Sequence, residues 1–144
     1  MYRSVKLVSL VLFVAACSAK PEAIRYGKDA CDFCRMTIMD PKFGGELITK
    51  KGKVYKFDSE ECLVDYYKTH VVRPGDFTVI LVADYSAPGK MLQAEQAVFL
   101  QDDHISSPMG AHLAAFPTKE TARKYQASAH GRIIDWNDLL MLEQ

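Results

Sequence analysis

Gly52-Lys-Val-Tyr-Lys-Phe57-Asp58 and Gly131-Arg-Ile-Ile-Asp-Trp136-Asn137 share one grammar: a glycine, a base, a β-branched residue, then an aromatic followed by a helix-capping residue. A pattern that recurs once, far along a chain of 144 residues, predicts two related units. Ahead of the first copy, Phe43 to Thr49 and Lys53 to Phe57 read as strands separated by Lys50-Lys51-Gly52, a hairpin pattern. After it, Asp58 with Glu61 forms a capping-box pattern, and Cys62, Leu63, Tyr66 and Tyr67 recur at helical spacing, so a helix is expected over 59–70. Arg73-Pro74-Gly75-Asp76 ends that helix, and Phe77 to Ala83 reads as a buried strand. In the second half, Ala97 to Gln101 reads as a strand, 106–110 as a loop and Ala111 to Phe116 as extended chain. Thr118 caps a helix expected to run to His130, with Ala122, Tyr125 and Ala129 facing inward and Gly131 stopping it. Arg132 to Trp136 closes the unit as a strand, and Asn137 caps a short terminal helix. The fold class is α+β: two similar small ββα-type units, about 31–85 and 92–144, packed face to face with the loops of Met36 and Met109 at the seam.

Composition narrows the function. The chain holds 18 basic and 18 acidic side chains and is 49% hydrophobic and 10% aromatic. That balance argues against a phosphate-gripping nucleic-acid binder and against a disordered chain. At the N-terminus, Arg3 and Lys6 precede an apolar stretch from Leu7 to Ala16 that is too short to span a bilayer. It ends in Val14-Ala15-Ala16-Cys17, which resembles the lipobox of bacterial lipoproteins. Residues 1–16 are therefore expected to be a signal peptide. Cys17 is expected to be acylated, and 17–30 to be a flexible tether ahead of a domain over 31–144. Ser18 rather than Asp after the cysteine favours an outer-membrane or otherwise non-retained anchor on the periplasmic side. Without residues 1–16 the chain has 16 basic and 18 acidic groups, a slightly acidic body outside the reducing cytosol.

Three thiols remain there, Cys31, Cys34 and Cys62, an odd number that structural disulfides alone do not explain. Cys31-x-x-Cys34-x-Met36 combines thiolate and thioether, soft ligands that select Cu(I), whereas a thioether binds hard dications poorly. In extended chain Cys34 and Met36 project to one side. Zinc lacks a second ligand pair in the sequence, and Arg35 stands where covalent haem needs histidine. A Cys31–Cys34 disulfide and a thioredoxin-like redox pair remain as alternatives. Met109, in a Pro-Met-Gly turn that exposes it, is a further candidate ligand beside the ordinary alternative of gap-filling core. Met39, Met91 and Met141 have apolar neighbours and read as packing, and Cys62 as a buried free thiol on the inner face of its helix. His112 is close enough in sequence to Met109 to add a nitrogen; His70, His104 and His130 lie at element ends. No nucleophile elbow, zincin motif or phosphate loop is present, and helix capping accounts for the carboxylates of Asp58-Ser-Glu-Glu61, so no enzyme is expected.

The segment Cys31-x-x-Cys-x-Met-x-Ile-x-Asp-x-x-Phe-Gly-Gly-Glu-Leu-Ile-Thr-Lys-Lys-Gly-Lys-Val-Tyr-Lys-Phe-Asp-x-x-x-Cys62 resembles the NosL family. So do Ser107-Pro-Met-Gly110, Ala115-Phe116 and the helix after Thr118. The resemblance implies a Cu(I)-binding lipoprotein chaperone that supplies nitrous oxide reductase together with an ABC-type assembly complex. It also implies two α+β units akin to organomercurial lyase. Position by position it carries Cys34 and Met36 over as copper ligands, with Met109 from the second half and Cys31 as the least certain member. Cu(I) would then sit in a low-coordinate, partly exposed site and leave by ligand exchange. The rival reading is a thiol–disulfide redox lipoprotein using Cys31 and Cys34.

Overall fold

A computed structural model of the chain describes residues 21–69 and 73–142. Strand β1 (Gly45–Thr49) lies between β2 (Val54–Phe57) and β3 (Phe77–Ala83), antiparallel to both, and β4 (Met91–Gln93) flanks β3. Helix α1 (Glu60–Lys68) follows β2, and a 3-10 turn at Pro74–Asp76 leads into β3. In the second sheet β5 (Val98–Gln101) lies between β6 (Leu113–Phe116) and β7 (Arg132–Ile134), with α2 (Lys119–Tyr125) joining β6 to β7 and α3 (Trp136–Met141) after them. Both sheets thus have one connectivity, ββαβ with the first strand central.

That connectivity corrects the alignment of the two halves. The counterpart of β2 is β6, not β7. Phe57 and Phe116 each end a second strand fully buried, and Ser59 and Thr118 each cap the helix that follows. Each cap accepts from the backbone N–H three residues on, at Cys62 and at Thr121. The echo at Gly131–Asn137 misleads because any short strand feeding a capped helix has that grammar, and β7 feeds α3.

Three local expectations change for identifiable reasons. The cap of α1 is Ser59 rather than Asp58, and no capping box forms, since Glu61 reaches elsewhere. Helix α2 ends at Tyr125, not His130, because buried Asp102 accepts the N–H groups of Ala127 and Ser128 at 3.0 and 2.8 Å and draws the chain away. Ala122 is its one buried residue; Tyr125 and Ala129 are exposed. The terminal helix is capped by Asp135, which accepts from Asp138, rather than by Asn137.

The ordered body begins before Cys31. Ile24 is buried, Gly27 N–H donates to the Ile38 carbonyl, and Ala30 bridges Thr37, so 24–30, assigned above to the tether, belongs to the fold. Lys56 pins it: Nζ lies 2.8 Å from Asp29 and 3.2 Å from the Ala23 carbonyl. The lipobox, Cys17 and the signal segment fall outside the described residues.

One core spans both halves, joining Phe57, Leu63 and Val82 to Phe99, Leu113 and Trp136. Gly45 lets β1 approach α1, since a Cβ there would run into the Leu63 side chain and the Leu81 carbonyl. Asp84 and Ala115 bridge the two sheets. Met91 packs against this core, but Met39 and Met141 are 67% and 83% exposed, so they do not pack as their apolar neighbours suggested.

Candidate metal centre

Cys31 and Cys34 lie on a tight loop stitched to itself and to the edge of the first sheet. Cys31 N–H donates to the Met36 carbonyl at 2.8 Å, and Arg35 N–H to the Cys31 carbonyl at 3.1 Å. Arg35 turns the chain in the left-handed region, φ +69°, where a non-glycine residue is uncommon. Asp32 docks the loop on β2: its N–H donates to the Lys56 carbonyl and its carboxylate accepts from Lys56 N–H, both at 2.8 Å. Two residues further along the chain from Lys56 is Asp58, and the first turn of α1 then presents Cys62.

Three thiols and a carboxylate therefore converge. One ligand atom each from Cys31, Cys34, Asp58 and Cys62 all lie within 4.8 Å of one another. Cys31 and Cys62 are fully buried, Asp58 nearly so, and Cys34 half-buried. All three cysteines are free, which sets aside the Cys31–Cys34 disulfide in this structure. Cys34 Sγ donates to Asp58 Oδ1 at 3.5 Å. The Cys62 thiol hydrogen-bonds Cys31 and lowers its pKa to about 6 against the opposing effect of burial, while the same contact, burial and Asp58 push Cys62 up. Burial raises Cys34. The hydrogen bond from the neighbouring Cys62 thiol favours the thiolate form of Cys31, the form that donates to a soft cation.

From sequence alone Cys62 reads as packing and Asp58 as capping. Neither carries a local signal of its role, because their meeting with Cys31 depends on where the loop docks on β2. The donor count also changes the zinc argument: three cysteines and an aspartate within reach would satisfy four-coordinate zinc by number, so softness, not count, favours copper.

The thioethers named in the sequence are on the surface side. Met36 is 47% exposed and Met109 is 44% exposed. Met109 lines an open cleft of roughly 440 Å³ with Glu61, Asp65, Arg132 and Leu142. His112 Nδ1 donates to the Ile105 carbonyl at 2.8 Å, which leaves Nε2 as its available ring nitrogen. His104 is tied to Asp102 at 3.0 Å, His130 is exposed, and His70 lies outside the described residues.

Comparison with known proteins adds three findings. A family model described as NosL matches residues 24–141. Among curated protein sequences no match is found. Among solved structures, the chain is similar to the crystal structure of the copper chaperone NosL from Shewanella denitrificans, with TM-score 0.71 and 22% sequence identity over 88% of this chain and 99% of that one. At that identity the likeness establishes the fold.

Proposed function

Because the chain belongs to the NosL family, we propose that it binds Cu(I) as cargo and passes it on, acting as a carrier rather than an enzyme. The observation that supports this most is the convergence of the Cys31, Cys34 and Cys62 sulfurs with Asp58. Soft sulfur donors select Cu(I), and the lowered pKa of buried Cys31 eases the deprotonation that binding requires. Cys34, half-buried, is the outward member of the set. In this reading Cys31 and Cys34 hold the ion from the loop, Cys62 closes the inner side, and the thioethers of Met36 and Met109 complete or relay the coordination. A thioether needs no deprotonation, so the ion moves outward without waiting for a proton to leave.

The expected recipient is nitrous oxide reductase, reached with its ABC-type assembly complex. The expected location is the periplasmic side of a membrane, tethered through acylated Cys17, with the outer membrane favoured. An anaerobic Cu(I) titration against a competing chelator tests the binding step. Cys34→Ser and Cys31→Ser should each weaken Cu(I) binding by roughly 10-fold or more, and Zn(II) should compete poorly. Wild-type affinity in both variants would remove the cluster as the copper site.

One observation also favours the thiol–disulfide reading: a thiolate with pKa about 6 has two neighbouring thiols. It predicts exchange with oxidised glutathione that persists in Met36→Leu with Met109→Leu. Copper carriage predicts that Cu(I) suppresses that exchange.

A further inference from the structure

The turn that carries Met109 is shaped from across the molecule. Glu61, in the first turn of α1 and only 2% exposed, reaches into the loop of the second half. Its Oε1 accepts from the Ser107 hydroxyl and from the Ala111 N–H, the latter at 3.1 Å. Ser107 Oγ in turn accepts the N–H of His112 at 3.0 Å, and Gly110 N–H closes the turn on the Ser107 carbonyl at 3.1 Å. Gly110 and His112 both take left-handed backbone, φ +80° and +60°. For histidine that conformation is strained and persists only where surrounding bonds over-determine it. Glu61 therefore serves the opposite loop rather than its own helix end. A buried carboxylate from one half, with Oε2 unpartnered among the described residues, holds five residues of the other half in a single shape. At the centre of that shape is Met109, and the next residue on α1 after Glu61 is Cys62.

We infer that Glu61 is a positioning residue for copper: by clamping the Met109 loop to the helix that carries Cys62, it makes the thioether of the second half and the thiols of the first one site. The inference rests on the reading of Met109 as a copper ligand given above. One side chain suffices to hold the loop because its single oxygen Oε1 takes hydrogen bonds from both ends of the turn, at Ser107 and at Ala111. The clamp needs an acceptor at Oε1, not a charge as such.

The test is Cu(I) affinity by anaerobic chelator competition in four variants: Met109→Leu, Glu61→Ala, Glu61→Gln, and Glu61→Ala combined with Met109→Leu. Met109→Leu and Glu61→Ala should each weaken binding by roughly 10- to 100-fold, the scale of outer-shell effects on metal sites. The double variant should be no weaker than Met109→Leu alone. Glu61→Gln, which keeps the acceptor, should restore near wild-type affinity. Additive losses in the double variant, equal losses in Glu61→Gln and Glu61→Ala, or wild-type affinity in Glu61→Ala would each overturn it. If Met109→Leu binds like wild type, the Met109 reading fails and the inference falls with it, while the cysteine variants still report on the thiol cluster. Should Glu61→Ala fail to fold, Ser107→Ala removes the other side of the clamp and must show the same non-additivity with Met109→Leu.

Discussion

Glu46 lies on the central strand of the first sheet with Lys56 and Leu81 as its cross-strand neighbours, 2% exposed, and its Oε2 has no hydrogen-bond partner among the described residues. Burial raises its pKa from 4.5 to about 7, with Lys56 pulling the other way. The folded state therefore binds more protons than the unfolded one between about pH 4.5 and 7. Stability contributed by this group is fully present below that window and is lost as pH rises through it, on a scale of about 3 kcal/mol. Glu46→Gln should leave stability below pH 4.5 nearly unchanged and raise it by about 1–3 kcal/mol at pH 8. Urea midpoints across pH 4–8 check this; an unchanged pH slope in the variant would rule Glu46 out as its source. Cys31 differs in kind, since the hydrogen bond from the neighbouring Cys62 thiol outweighs burial and lowers its pKa.

At the scale of elements, the entry to α1, residues 58–61, concentrates three separate tasks in four residues. Ser59 caps the helix through Cys62 N–H at 3.2 Å, Asp58 accepts from Cys34, and Glu61 grips the opposite loop. Ser59→Ala should cost about 1 kcal/mol of stability, measured as a lower urea midpoint at unchanged slope. This turn also shows what the sequence makes legible. Periodicity and turn residues located β1, β2, α1, β3 and the second-half strands, because those signals are local. The three-residue β4 escaped because Met91-Leu-Gln93 is too short to show alternation. The Cys31-x-x-Cys34 pair was legible for the same local reason, as was the inward face of Cys62. That Asp58 and Cys62 join them depends on Asp32 binding the edge of β2 through a pair of hydrogen bonds, a non-local register that no spacing encodes. Composition equally placed 24–30 in a tether, because the partner that orders it, Lys56, lies 27 residues beyond Asp29.

Among the described residues the larger of two hydrophobic clusters spans both halves, and Trp136 is its reporter: its ring packs on Tyr67 of α1 at 5.9 Å and on Phe99 of β5 at 6.1 Å. Two units joined in this way should unfold together. Trp136 fluorescence and far-ultraviolet circular dichroism should give superimposable denaturant transitions, whereas separated midpoints would mean the halves are independently stable. The loop that bears Cys31 and the helix that bears Cys62 belong to the same half but are some thirty residues apart along the chain, with a hairpin between them. An ion held by both would act as a removable cross-link, closing a loop for which a permanent bridge constrains the denatured chain by about 4 kcal/mol. Loading and rigidity then become one variable. On the proposed reading the loaded protein would be the heat-resistant form, and giving up the ion would relax the loop that bears Cys31 and Cys34.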